Sequence, residues 1–226
     1  MRIGTKSLLF GAHCFFIHPI LVFIAWTKLY GFPKHLALWL CFLVHDWGYW
    51  QRPDLDGPEG ERHPELGANI VRFFFGDLWG DFCLYHSRRY AKLHGKGISQ
   101  LCTADKLATV LMPAWLYVPM TSLTGEIKSY MVPDAALESE EYLALVKCIT
   151  NPYEWFAALK IYMGGVVAKT KDSALSIEDL QVDSYVAEYG EHNRDEIIDA
   201  LIRWEDPKCR GNMSQDSFVS FSILRR

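Results

Sequence analysis

Leu38-Trp39-Leu40-Cys41-Phe42-Leu43-Val44-His45-Asp46-Trp47-Gly48 is the stretch from which the rest of the chain is read. The unbroken apolar run from Leu38 to Val44 predicts a helix buried on most of its circumference, and it delivers two metal-ligating side chains at its end. Adjacent helical residues point about 100° apart, so His45 and Asp46 converge on one cation only where the last turn loosens. Gly48 frees the backbone to turn there. A carboxylate that holds one cation keeps a second oxygen for another. Taken alone, the pair reads equally as a core histidine and a helix-end charge, so its company in the chain decides the matter.

Upstream, Pro19 belongs in the first turn of a helix, which predicts a helix from His18 to Gly31, with His13 just before it. Pro33 opens the next helix, the one that ends at His45-Asp46. Downstream, residues 51–62 (QRPDLDGPEGER) carry two prolines and two glycines and read as a loop beside that end. His63-Pro64 opens a third helix, with His63 near its cap and Gly67 and Ala68 allowing close packing. A fourth is predicted over Asp81–Leu93 with His86 in its middle. A fifth starts at Ser99 or Thr103 and carries Asp105-Lys106 among apolar residues, where a carboxylate needs a partner. Pro113 and Pro119 are expected to break up the stretch between them. Helices follow over Glu138–Ile149, Pro152–Lys169 with Asn151 as cap, and Arg194–Trp204, before a frayed last dozen residues. The pattern is all-α, with no strand-rich region.

A chain of 226 residues, half of them apolar, buries a full core. Residues 1–120 are expected to form a metal-binding core, and 121–226 a helical extension packed on it. The formal charge of −4 argues against a duplex nucleic-acid binder working through bulk charge. The six cysteines form no CxxC pair and suit buried thiols in a reducing cytoplasm. The apolar run from Cys14 to Tyr30 contains His18, Pro19 and Lys28 and falls short of the ~20 residues of a membrane span, so it is read as a core helix. No transmembrane segment is expected.

The polar intruders among these apolar helices are His18, His45, Asp46, His63, His86 and Asp105. Four imidazoles and two carboxylates suit two divalent transition metals among Fe, Mn, Co, Ni and Zn, and lack the thiolates of a structural zinc site. The set resembles the HD-domain superfamily of metal-dependent phosphohydrolases, whose pattern is a His, a His-Asp one helical hairpin later, and a distal Asp. Here the matching residues are His18, His45-Asp46 and Asp105. His63, in the context His63-Pro64-Glu65-Leu66-Gly67, and His86 resemble the variant that holds two metals, with Asp46 bridging. The resemblance runs from about residue 13 to 112. His86 is followed by Ser87 and no Gly-Tyr-Pro triplet follows, which sets the chain apart from the cyclic-dinucleotide phosphodiesterases of that superfamily.

The resemblance implies an HD-domain helical bundle with additional C-terminal helices, and a phosphohydrolase acting on a phosphomonoester or nucleotide through a metal-bridging hydroxide. Two alternatives stand beside it: a mixed-valent diiron oxygenase using the same ligands, and a non-catalytic module binding a nucleotide or protein. Arg62, Arg88, Arg89, Lys92 and Lys106 are the candidate partners for a small phosphorylated substrate. Asp46 is the expected catalytic centre, with His13 and Glu61 as candidates for proton transfer or support of the ligands. His94 stands close enough to His86 in sequence that a rotated helix would exchange them. A homo-oligomer is compatible with this reading.

Overall fold

Apolar runs bounded by proline and glycine become short helices joined by tight connections. The computed structural model describes residues 1–131, 140–146 and 148–189. Among these the regular structure is helical: α1 (Ile3–Phe10), α2 (His18–Tyr30), α3 (Leu36–Val44), α4 (Pro64–Phe75), α5 (Asp77–Leu84), α6 (Arg88–Leu93), α7 (Gln100–Leu111), α8 (Ala114–Thr124), α9 (Glu126–Tyr130), α10 (Glu140–Val146), α11 (Pro152–Thr170) and α12 (Ile177–Tyr189). Two short 3-10 turns cover Trp47–Tyr49 and Gly60–Arg62, and an isolated parallel bridge joins Ser99 to Leu175. The chain divides into a compact unit of residues 1–177 and a second unit of 178–226, of which α12 is the described part.

Within the first unit, α2 packs on α3 and α7, α4 on α3 and α5, and α11 on α7 and α8. The fully buried Val22, Ala25, Cys41, Val71, Leu101 and Ala104 come from these helices, and they bring the ends that carry polar residues to one place. A further apolar cluster lies among α8–α11, where Tyr117 stacks on Phe156 with ring centres 4.0 Å apart. Phe156 and Trp155 are buried almost completely, and truncating either side chain would cost about 3–5 kcal/mol.

Several boundaries follow local chemistry. Pro19 sits in the first turn of α2 and Pro64 opens α4 after His63; Ser99 precedes α7 without a capping hydrogen bond from its hydroxyl. The Asn151 side chain accepts from the backbone N–H groups of Tyr153 and Glu154 at the start of α11. Two expectations are corrected. The helix predicted over Asp81–Leu93 is two helices, because Ser87 caps a new start by accepting from the Tyr90 N–H; His86 lies in the break, not mid-helix. Pro119 does not break its segment: α8 runs through it, and the Thr121 hydroxyl bonds the carbonyls of Tyr117 and Val118. The helix expected over Arg194–Trp204 and the last dozen residues lie outside the described residues. No single helix among the described residues is long and apolar enough to cross a membrane; α7 and α8 reach the required length and apolarity only together, across a 100° bend.

Candidate metal centre

Helix ends supply most of the ligating side chains. His18 is the first residue of α2, His45 and Asp46 follow the last residue of α3, and His63 immediately precedes α4. His86 sits between α5 and α6, and Asp105 alone projects from the middle of a helix, α7. His45 keeps helical dihedrals and the backbone departs from them at Asp46 (φ −97°, ψ −1°), which lets the two consecutive side chains face one point. Two glycines bring the ends together. A Cβ on Gly67 would lie 2.5 Å from the Val44 carbonyl oxygen, and one on Gly48 would lie 1.9 Å from that of His63. Any side chain at either position would push α3 and α4 apart.

The six side chains form two sets that share Asp46. In the first, His18 Nε2 lies 3.0 Å from Asp105 Oδ1, 3.2 Å from Asp46 Oδ2 and 3.2 Å from His45 Nε2. His45 Nε2 is likewise 3.2 Å from Asp46 Oδ2. In the second, His63 Nε2 and His86 Nε2 are 3.2 Å apart and lie 3.7 and 3.6 Å from Asp46 Oδ1. One carboxylate therefore turns a different oxygen to each set. His18, His45, Asp46 and His86 are buried, and Asp105 keeps about 26% of its side chain exposed.

Backbone carbonyls fix which ring nitrogen faces the cluster. His45 Nδ1 meets the carbonyls of Cys41 and Phe42 at 3.2 Å, His63 Nδ1 that of Gly60 at 2.8 Å, and His86 Nδ1 that of Cys83 at 2.6 Å. A carbonyl only accepts, so each Nδ1 carries a hydrogen and donates it, and each Nε2 faces inward, with a lone pair for a metal once the ring is neutral. This is the support that metal-bound histidines use. Asp46 Oδ2 is buried and has no hydrogen-bond partner among the described residues, a costly condition for a carboxylate oxygen unless a cation meets it. The donors suit a metal ion on each of these counts.

The charges tell the same story without a metal. Burial disfavours a cationic His18, but the carboxylates of Asp105 and Asp46, 3.0 and 3.2 Å from its Nε2, outweigh it and raise the imidazole to about 9. His45 is raised well above its ordinary value for like reasons, the charge of Asp46 overcoming burial. Asp46 and Asp105 stay well below the carboxylate range despite burial, because the imidazoles of His45 and His18 face them. His63 goes the other way, to about 3, through burial and the neighbouring His86. The first set thus collects positive charge as protons; a divalent ion would take their place.

A cavity of about 930 Å³ opens on the first set. Of the residues expected to serve it from sequence, His13, Glu61, Arg88 and Lys106 line it together with His18 and Asp105. Arg62 is exposed and forks onto Glu65, which also accepts from the Tyr90 hydroxyl. Arg89 and Lys92 are exposed on α6 and are not part of the lining. His94 is exposed too, beside the Tyr85 hydroxyl, and His86 is the residue in the cluster. Tyr49 lies between His13 and His63, tilted against the first and stacked on the second with ring centres 4.4 and 4.1 Å away. Glu126 and Ser7 were missed; no spacing or motif marks them, and only the packing of α1 on α8 and the hydrogen bond between the two side chains reveal that they meet. No family model, curated protein or solved structure matches this chain.

Proposed function

We propose that the chain is a metal-dependent phosphohydrolase of HD-domain type that holds two divalent transition metals and acts on a phosphomonoester or nucleotide. The observation that carries the reading is Asp46, whose two oxygens face separate sets of inward-turned nitrogens, one of those oxygens being buried without a hydrogen-bond partner. His18, His45, Asp46 and Asp105 would hold one ion, and His63 and His86 the other with Asp46. Bound there, the ions would supply Lewis acidity toward a phosphoryl oxygen and toward water.

The protein's own part is placement. The Nδ1 hydrogen bonds of His45, His63 and His86 lock the rings so that the ligand geometry is set before substrate arrives. Arg88 and Lys106 line the cavity and supply charge to an anionic group. Two cations suit a single phosphoryl group better than a triphosphate, particularly as Asp54, Asp56 and Glu61 share the lining. The open cavity next to the cluster also speaks for a small-molecule substrate over a purely structural metal site.

A panel of phosphomonoesters and nucleotides, assayed under anaerobic conditions with Mn or Co, tests the reading by phosphate release. Turnover of a monoester is the expected result. Activity confined to iron and air, with dioxygen consumed, would replace hydrolysis with oxygenase chemistry on the same ligands.

A further inference from the structure

The least exposed carboxylate among the described residues takes no part in the metal cluster. Glu126, the first residue of α9, is fully buried. Its Oε2 accepts from the Ala12 N–H at 3.1 Å, the Ser7 hydroxyl at 3.0 Å and the Tyr130 hydroxyl at 3.3 Å. The loop around it is shaped for the purpose: a Cβ on Gly11 would lie only 1.7 Å from Glu126 Oε1.

Ser7 passes the interaction on. Its Oγ lies 2.8 Å from His13 Nδ1. A hydroxyl has one hydrogen, and a carboxylate oxygen already accepting from an amide claims it. The Ser7 oxygen then offers only lone pairs to His13, so Nδ1 must be the protonated nitrogen. His13 Nε2 is left bare, with no hydrogen-bond partner among the described residues. The ring packs against Tyr49 at a tilt of 38° and edge-on to His18, and His13 lines the 930 Å³ cavity.

We propose that Glu126 and Ser7 are positioning residues that fix His13 in the Nδ1–H tautomer, so that its Nε2 accepts a hydrogen bond from an O–H or N–H group of the ligand in the cavity. The cavity then selects for a ligand that carries a donor, such as a hydroxyl, beside the group that meets the metals. A ligand presenting only acceptors at that point would leave two lone pairs facing each other, which a site built to receive a hydrogen rejects strongly. The proposal rests on the reading of this cavity as the substrate site, but the tautomer follows from Ser7 and Glu126 whatever the reaction.

Nitrogen NMR of the histidine rings tests it in the full chain, both metal-free and loaded with diamagnetic Zn. The expected wild-type spectrum has His13 protonated at Nδ1 and bare at Nε2 in both states. Ser7→Ala should turn this single tautomer into a mixture, with the amide spectrum otherwise preserved. Glu126→Gln should retain it, because the amide oxygen can still face the Ala12 N–H and the Ser7 hydroxyl; that rescue separates tautomer control from a general structural role. A wild-type His13 protonated at Nε2, or an unchanged tautomer in Ser7→Ala, would overturn the proposal. Failure of Zn to perturb His18, His45, His63 and His86 would instead count against the metal centre, and is read from different resonances.

Discussion

Raising the pH of the metal-free protein from 6.5 to 9 should weaken it substantially, because its first ligand set is held together by protons. His18 titrates at 6.5 when unfolded and at about 9 when folded. A base whose folded value is raised contributes fully below 6.5, and the contribution disappears as pH climbs through 9. The interval of roughly 2.5 pH units, at about 1.4 kcal/mol per unit, gives about 3–4 kcal/mol, and His45 acts in the same sense. His63 shapes the acid side. Its folded value of about 3 means that the unfolded chain binds the proton more readily, so its contribution is present above 6.5 and lost as pH falls toward 3. Both rings are nearly buried, with 7% and 14% of their side chains exposed, so solvent screening removes little of either effect. Asp46 and Asp105 add to the acid loss only below the ordinary carboxylate range. The expected profile of the chelator-stripped protein peaks near pH 6.5. Saturating Mn should flatten the alkaline limb, since metal binding gains as protons leave. Urea unfolding at pH 6.5, 7.5 and 9, with and without metal, measures this. A metal-free stability that is flat or rises between 6.5 and 9 would refute a first set held by protonated imidazoles.

Two substitutions examine the site from other directions. Gly67→Ala places a methyl 2.5 Å from the Val44 carbonyl oxygen and 2.9 Å from His45 Cα, and should cost about 1–3 kcal/mol in urea unfolding together with weaker metal retention; unchanged stability would mean that the close approach of α3 and α4 is not required. His86→Ala should lower metal content by elemental analysis from about two ions per chain toward about one, since the second set would keep only His63 and its share of Asp46, whereas His94→Ala should leave it unchanged.

Much of the cluster was legible because its ligands interrupt apolar runs at helix ends. A histidine or aspartate near Pro19, Pro64 or Gly48 stands out, and proline chemistry placed α2 and α4 well. His86 was found for a partly mistaken reason: a continuous helix was expected where Ser87 starts a new one, and it is the break that turns the ring inward. The cationic partners were harder to read. Sequence neighbours of a ligand point anywhere, so Arg62 ends on Glu65 while Arg88 and Lys106 reach the cavity. Pro119 misled because proline's intrinsic cost was weighed without the tertiary packing that holds α8. Glu126 was silent, because a buried carboxylate advertises itself only through partners that are distant in the chain, Ser7 being 119 residues away.

The dispersal of the ligands also bears on how the molecule folds. They are drawn from His18 to Asp105, and no local segment supplies a full set, so the loops between them must close before any cation finds its coordination. Capture of a metal there would then be a late event that ratifies a completed topology. Because a cation that binds only the folded chain stabilises it by mass action, an apparent dissociation constant for metal includes the folding equilibrium itself. A change that loosens the packing of α8 on α11, neither of which carries a ligand, would present in a metal assay as a binding defect, and supplying more metal would mask it.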